Sequence, residues 1–455
     1  MREGWGVSEF RKDWKRATAH WLRVVAASLE GVIKFSYSSK TSRINSAGLH
    51  SLSSSEIIWH FAAMASCAAT QPTFSLQPSF LTALASDKVK TILLTGCGGG
   101  FDFVHGALLL PHLKQLGKRV IILSYSFGST DNISNAEVVF SEKTPQGPCE
   151  AKLVTANATG SPKYEPEIGL CAYLDTQWPD EAPHQVYACY ARLFSVPMLV
   201  RLYRQVIREH GVDTVVTIDG GSDSLMRGDE YGLGDPIEDT VSVTAASELS
   251  EEEDGVHTKL LISAGFGMDR FNNVCDADGL RAIAELSQSG GFRGSISIEP
   301  TADAFIFYRN AVDFLNKRAT FRSVMTAGLV AAVEGSFGYT VPKVVASRVR
   351  EGHLFVWPLM GMLFAFDTDA VARRSLLAPL LRDLEHRVQC DDRLEEMRRD
   401  LRAAGKLRDI AELPTHQEVL NRRFNVQADT RDVVVNSAPV ETKESSGAGG
   451  GCAVM

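Results

Sequence analysis

The 455-residue chain lacks an excess of basic charge and most of the short motifs that identify a known chemistry. Its formal net charge is -8 at pH 7, whereas binding to a phosphate backbone requires a basic face, so we expect no nucleic-acid partner. It contains no G-x-x-x-x-G-K-S/T phosphate loop, no G-x-S-x-G nucleophile elbow and no H-E-x-x-H zinc motif. These absences exclude several common classes of enzyme.

Cysteine pairs and long hydrophobic runs are also missing. None of the 8 cysteines belongs to a C-x-x-C pair or to a cysteine–histidine group with zinc spacing. The longest apolar runs, such as residues 354–366, are too short to cross a bilayer. No apolar stretch with a cleavage site follows Arg2, so a signal peptide is not expected. We therefore expect a cytoplasmic protein with free thiols.

The first 85 residues differ in composition from the rest. Basic and apolar residues alternate at helical spacing between Arg11 and Leu29, and a serine-rich stretch follows. This composition fits either a mitochondrial transit segment or a poorly ordered extension, with Met64 as an alternative start. Acidic residues such as Glu9 and Asp13 count against the transit segment. We expect residues 1–85 to form a poorly ordered extension.

The C-terminal part is charged and then becomes low in complexity. Residues 373–424 mix acids and bases in a helical pattern that predicts peripheral helices, and residues 425–455 predict a flexible tail. The sequence Cys452-Ala453-Val454-Met455 fits the C-a-a-X motif, in which a terminal methionine favours farnesyl. The motif predicts lipidation of Cys452, reversible membrane association and a eukaryotic source.

Between residues 86 and 372, short β-rich runs alternate with helical patterns. Such alternation predicts an α/β, Rossmann-like domain, with a mostly parallel sheet and helices on both faces. Residues 184–210 are predicted to form one or two helices, and the acidic segment 250–254 a loop. The predicted strands with the clearest pattern are residues 90–95, 119–125, 213–218, 259–264 and 295–298.

A glycine-rich loop follows the first of these strands. Gly98, Gly99 and Gly100 allow the backbone to turn sharply and to approach a ligand closely. Asp102 then opens a helix, whose N-terminus favours an anion. Cys97 lies in this loop, where a small side chain filling a tight turn is favoured over a nucleophile.

The strand at 213–218 leads into a second loop that is rich in carboxylates and glycines. Asp219 and Asp223 flank Gly220 and Gly221, and Glu230 follows in the same stretch. These aspartates fit either a magnesium site or a general base. The alternative is simple helix capping, by Asp235 or Ser222.

A third loop follows the strand at 259–264. It contains Gly265 and Gly267, and then Arg270, which either binds an anion or pairs with Asp269 or Asp276. Because the carboxyl ends of parallel strands share one edge, the three loops are expected to converge on one ligand-binding crevice. His105 has no obvious partner and is expected to be structural.

These motifs together resemble a known family. Gly98-Gly99-Gly100-x-Asp102, Asp219-Gly220-Gly221-x-Asp223 and the stretch from Gly228-x-Glu230 to Gly234-x-Pro236 are similar to a widespread, uncharacterised α/β domain of unknown function in archaea and bacteria. The similarity covers residues 88–365. The family typically carries a small residue where Cys97 stands, which implies that its thiol is not a shared nucleophile. The resemblance implies a fold and a site but no reaction.

The site residues predict an enzyme acting on a phosphorylated or nucleotide-like small molecule with Mg²⁺, by phosphoryl or glycosyl transfer or by hydrolysis. Asp219 and Asp223 would hold the metal or serve as base, and Glu230 and Arg270 would orient the anionic ligand. A nucleotide-dependent oxidoreductase and a non-catalytic ligand sensor at membranes are the alternatives. The oligomeric state is left open.

Overall fold

The computed structural model describes residues 76–409 except 146, 162, 350, 351 and 353, and all elements below belong to the unit Gln77–Met455. The predicted features at Met64, in most of the N-terminal extension and at Cys452 lie outside the described residues. Among the described residues, no helix is long and apolar enough to cross a membrane.

The described part of the chain is built around a nine-stranded sheet, in the order β3-β4-β5-β2-β1-β6-β7-β9-β8. The strands are β1 (Thr91–Gly96), β2 (Arg119–Ser126), β3 (Glu137–Thr144), β4 (Gly147–Val154), β5 (Val186–Tyr190), β6 (Thr214–Asp219), β7 (Thr258–Ala264), β8 (Phe292–Ser297) and β9 (Met362–Asp367). The five central strands, β5-β2-β1-β6-β7, are parallel. Antiparallel strands extend both edges, so the sheet is mixed.

Helices cover both faces of this sheet. They are α1 (Ser79–Ala85), α2 (Asp102–His105), α3 (Leu110–Gln115), α4 (Pro166–Gln177), α5 (Val196–His210), α6 (Pro236–Ser247), α7 (Glu251–Asp254), α8 (Asp276–Gln288), α9 (Asp303–Arg318), α10 (Val324–Val333), α11 (Thr368–Arg374), α12 (Ala378–Leu381) and α13 (Val388–Ala403). Alternate residues of β1 point to opposite faces: Ile92 and Leu94 pack in the core beside α4 and α9, and Leu93 packs in the core beside α5 and α6. The α/β fold expected from the sequence is confirmed.

The chain changes direction at the centre of the sheet. From β1 it passes to β2 and on to the edge strand β3, returns inward through β4 and β5, and then crosses to β6 on the other side of β1. In open α/β sheets, ligands bind outside the carboxyl ends of the strands at this reversal point. The crevice between the ends of β1 and β6 is therefore the expected ligand position.

Two local predictions were wrong. Residues 184–210 were predicted to be helical, but Val186–Tyr190 form β5, and only Val196–His210 form a helix. The run Val-Tyr-Ala-Cys-Tyr is rich in β-forming residues, and its place between β2 and β4 outweighs the helical spacing. The acidic segment 250–254, predicted as a loop, contains α7, because the Ser250 side chain accepts a hydrogen bond from the Glu253 backbone N–H. The apolar run 354–366 contains most of β9, which pairs with β7 and β8.

The charged C-terminal region braces the second loop. Arg398 on α13 donates hydrogen bonds to the backbone carbonyls of Gly228, Glu230 and Tyr231. At the start of the same helix, the buried guanidinium of Arg387 bonds the Glu238 carboxylate at 2.8 Å. The first turn of α6 and the loop before it are therefore held from outside the sheet.

Candidate functional site

The loops after β1, β6 and β7 meet at the carboxyl edge of the parallel strands. The backbone N–H of Cys97 bonds the Ile218 carbonyl at 2.7 Å, which ties the first loop to the end of β6. Ser263, the β7 residue paired with Asp219, donates its hydroxyl to the Gly221 carbonyl. The convergence follows from parallel strand order, because neighbouring strands end side by side.

Three buried aspartates lie together at this edge. Asp219, Asp223 and Asp239 each offer a carboxylate oxygen, and these oxygens all lie within 4.8 Å of one another. Asp219 is the last residue of β6, Asp223 opens a short 3-10 turn, and Asp239 comes from the first turn of α6. We call these three residues the carboxylate triad.

Two further aspartates flank the carboxylate triad. A Cβ built on Gly98 would lie 2.0 Å from Asp239 Oδ1 and 2.8 Å from Asp102 Oδ2, so these two oxygens are close neighbours. On the other side, Asp269 Oδ2 accepts the backbone N–H of Ser222 at 2.5 Å. Five aspartates from three loops thus surround one point in the structure.

No basic side chain balances these charges. Among the described ion pairs, none joins a lysine or arginine to any of the five aspartates, which are Asp102, Asp219, Asp223, Asp239 and Asp269. Burial, reinforced by Asp269, raises the pKa of Asp219 to about 8, and burial with Asp219 raises the pKa of Asp223 to about 7. The pKa values of the other three are also raised, with burial as the largest cause and neighbouring aspartates next. Such a cluster requires either protons or a bound cation.

Existing hydrogen bonds leave part of the cluster available to a ligand. Asp219 accepts the Gly221 backbone N–H at 2.8 Å and the Ser224 hydroxyl, and Asp223 Oδ2 accepts the Asp235 backbone N–H at 2.9 Å. In contrast, Asp239 Oδ2 and Asp269 Oδ1 are buried and have no hydrogen-bond partner among the described residues. Buried oxygens without partners are unfavourable unless a ligand completes them.

Glycines allow the backbone to approach these carboxylates closely. A Cβ on Gly221 would lie 2.0 Å from Asp269 Oδ2, and one on Gly234 would lie 2.2 Å from Asp223 Oδ2. Gly98 and Gly234 also have positive φ angles of 84° and 67°, which other residues rarely adopt. Close approach and turn geometry both require glycine there.

The remaining predicted glycines line the same edge. Gly99 and Gly100 lie beneath the ring of Phe127, whereas Gly220 lies against Asp102 and the ring of His105. In the third loop, a Cβ on Gly265 would lie 3.4 Å from the Gly220 carbonyl oxygen. A Cβ on Gly267 would lie 2.6 Å from the indole nitrogen of Trp357.

Two predicted ligand-orienting residues make other contacts. Both carboxylate oxygens of Glu230 accept backbone N–H groups of its own loop, from Arg227 at 2.9 Å and Gly228 at 2.8 Å. Arg270 pairs with Asp276, and its guanidinium lies 5.1 Å from the ring centre of Phe355. The structure therefore brings Asp102, Asp219 and Asp223 together, whereas Glu230 and Arg270 bond groups outside the carboxylate triad.

The first loop is a weaker anion-binding site than its sequence predicts. The helix that Asp102 opens, α2, has only four residues, so its dipole is small. In addition, the Gly98 backbone N–H donates to the Ser242 hydroxyl at 3.2 Å. Burial raises the pKa of the Cys97 thiol well above its usual value, so the thiol is protonated, as expected for a side chain that fills a turn.

Asp239 and Asp269 were not singled out from the sequence. Asp239 lies in the acidic stretch at the start of α6, and the sequence explains that stretch equally well by helix capping. Asp269 was considered only as a partner for Arg270. The missing signal was three-dimensional, because one turn of α6 carries Asp239 back over the end of β6.

Comparison with known proteins adds a family but no chemistry. Residues 195–399 match the model of a family described as a protein of unknown function, DUF1152. Over this segment, the chain is similar to a family whose function is unknown. The segment contains Asp219, Asp223, Asp239 and Asp269, whereas the first glycine loop precedes it. No curated protein and no solved structure matched the chain.

Proposed function

We propose that this protein is a Mg²⁺-dependent enzyme that acts on a phosphorylated small molecule, with the cation held by Asp219, Asp223 and Asp239. The observation that carries the proposal is the carboxylate triad itself, with its oxygens within 4.8 Å of one another and no basic partner. Carboxylate oxygens are the ligands that Mg²⁺ prefers, and a soft metal would require sulfur or nitrogen donors.

The residues present fit such a cation. The unpartnered Asp239 Oδ2 is an available ligand atom, and the glycines at 98, 221 and 234 allow the backbone to approach the carboxylates closely. When bound, Mg²⁺ would polarise a phosphoryl oxygen and neutralise charge on the phosphate. This role is consistent with the observation that no described lysine or arginine forms an ion pair with these carboxylates.

The other two aspartates have separate roles in this proposal. Asp102 is only partly buried and lies beside Asp239, so its carboxylate can accept a proton from an attacking hydroxyl or water. Asp269 receives the Ser222 backbone N–H and so fixes the turn that carries Asp223. Hydrolysis and group transfer both fit this arrangement.

Cation binding by the full-length protein tests the proposal. We expect Mg²⁺ at about a hundred times its dissociation constant to stabilise the protein by about 2.7 kcal/mol. Asp239→Asn should weaken Mg²⁺ binding at least about tenfold, as loss of a ligand requires, and Asp276→Asn should not, because Asp276 pairs with Arg270 at the same edge.

A second signature separates a cation site from an ordinary polar cluster. In EDTA, Asp239→Asn should be at least as stable as the native protein, because it removes a buried carboxyl group whose ionisation is opposed by burial and by the neighbouring aspartates. A native protein that Mg²⁺ and Mn²⁺ leave unchanged, together with a destabilised Asp239→Asn protein in EDTA, would refute the proposal. Phosphate release from a panel of phosphorylated compounds, with and without Mg²⁺, then tests turnover.

A further inference from the structure

An exposed aromatic ring lies at the edge of the proposed cation site. Phe127 directly follows β2, the strand next to β1, and 42% of its surface is exposed. A large apolar side chain in this position is in contact with water and has stacking area to offer a ligand.

The ring is seated on the glycine loop. A Cβ on Gly99 would lie 2.0 Å from the nearest ring carbon of Phe127, and one on Gly100 would lie 2.9 Å from another. The next glycine along, Gly98, contacts the carboxylates of Asp102 and Asp239. Three consecutive glycines therefore connect the ring to the carboxylate cluster.

Three nearby aromatic rings form a packed cluster. Phe101, Tyr164 and Phe321 pack against one another, with ring centres 5.6 to 6.2 Å apart. Phe127 takes part in none of these three contacts, although it lies at the same edge. Its ring covers the glycine loop, and 42% of its surface is exposed.

We propose that Phe127 is the surface on which an aromatic base of the substrate stacks, so that the substrate of the proposed Mg²⁺ site is a nucleotide. This inference rests on the proposed function and specifies its substrate class. Because no described lysine or arginine forms an ion pair with the five aspartates, the proposal assigns substrate affinity to a cation–phosphate contact and to apolar contact. Stacking on an aromatic side chain supplies this apolar contact and is available to any base.

Binding measurements on the full-length protein test the assignment. With Mg²⁺ present, we expect ADP to bind more tightly than inorganic pyrophosphate, which lacks a base. Phe127→Ala should weaken ADP binding about 5- to 100-fold, the usual effect of removing one stacking residue. Phe127→Trp should retain the affinity, and pyrophosphate should bind all three proteins equally.

Two further variants control for folding and for general loss of aromatic surface. Phe127→Leu keeps an apolar cover over Gly99 and Gly100 but removes the stacking face, so it should lose ADP affinity while keeping its melting temperature. Phe337→Ala removes another exposed phenylalanine, on the loop after α10, and should bind ADP like the native protein.

The outcomes separate this inference from the proposed function. If Mg²⁺ binds but ADP has no advantage over pyrophosphate, or if Phe127→Leu binds ADP normally, the stacking role is wrong and the cation site stands. If ADP binding depends on Phe127 but not on Mg²⁺, the stacking role stands and the proposed cation site is wrong. Equal losses of ADP and pyrophosphate binding in Phe127→Leu would also overturn the stacking role.

Discussion

Two buried aromatic side chains lie beside Asp102. His105 and Tyr308 are fully buried and stack with ring centres 5.7 Å apart. The Tyr308 hydroxyl has no hydrogen-bond partner among the described residues. Burial lowers the pKa of His105 to about 4, so the ring is neutral at pH 7, and burial raises the pKa of Tyr308, so its hydroxyl stays protonated. Both groups therefore lie buried in neutral form.

We expect Tyr308→Phe to leave the free energy of unfolding unchanged or to raise it by up to about 1–3 kcal/mol, because it removes a buried hydroxyl that bonds nothing. Tyr125 provides the matched comparison. Its hydroxyl donates to the carbonyls of Ala191 and Phe194, at 3.0 and 2.9 Å, so Tyr125→Phe should lose about 0.5–1.5 kcal/mol. Urea unfolding of both variants measures the difference, and a larger loss from Tyr308→Phe than from Tyr125→Phe would show that its hydroxyl has a partner.

At the scale of single residues, the sequence predicted part of the site. Asp102, Asp219 and Asp223 could be predicted because they follow strands within glycine-rich loops. The shared direction of parallel strands places such loops at one edge of the sheet. Asp239 and Asp269 required the actual path of a helix turn and a loop. Glu230 and Arg270 were assigned to the ligand from residue type, yet nearby backbone N–H groups and Asp276 are the partners that they bond.

Glycine loops are the elements that allow the aspartates to approach one another. The turn containing Gly234 precedes α6 and presses against Asp223, whose Oδ2 and Cβ would lie 2.2 and 2.6 Å from an added Cβ. The same turn supplies the Asp235 backbone N–H that bonds Asp223. A side chain at position 234 must displace a carboxylate of the triad.

We therefore expect Gly234→Ala to weaken Mg²⁺ binding about 10- to 100-fold, the usual effect of disturbing the support of a metal ligand. Gly117→Ala is a close control, because Gly117 has a φ of 68°, against 67° for Gly234, and an added Cβ there meets nothing within 4 Å. Both variants should lose about 1–2 kcal/mol of stability from backbone strain. Titration calorimetry with Mg²⁺ separates the two effects, and equal Mg²⁺ affinities in both variants would contradict a role for Gly234 in shaping the site.

Among the elements, four of the five central parallel strands and the edge strand β8 were predictable, whereas β5 was not. Buried parallel strands read as hydrophobic runs that end at a glycine or an aspartate: β1 ends at Gly96, β6 ends at Asp219, and Gly265 follows β7. In contrast, β5 is a five-residue run within a longer helical spacing, so only its pairing with β2 and β4 in the assembled sheet selects a strand there. The helix predicted over β5 did not move the site, because the reversal point lies between β1 and β6.

At the scale of the whole molecule, the five aspartates link stability to pH. In the folded, metal-free protein, the pKa values of Asp219 and Asp223 are raised to about 8 and about 7, above the usual 3.8 of an aspartate. At pH values between the usual pKa of 3.8 and these raised pKa values, the folded chain binds more protons than the unfolded chain. The stability that this protonation supplies is present at low pH and is lost as pH rises towards 8.

We expect the metal-free protein to unfold more easily at pH 8 than at pH 6, the reverse of the usual behaviour of paired carboxylates. Each unit of raised pKa corresponds to about 1.4 kcal/mol between the two protonation states. Urea unfolding in EDTA across this range should show the decline, and Asp223→Asn should reduce it because asparagine does not titrate. Saturating Mg²⁺ should remove most of the decline, since the cation replaces the protons and binds more tightly as they leave. Stability that rises from pH 6 to pH 8 in EDTA would mean that the aspartates are already compensated within the protein, and the argument for a bound cation would lose its electrostatic basis.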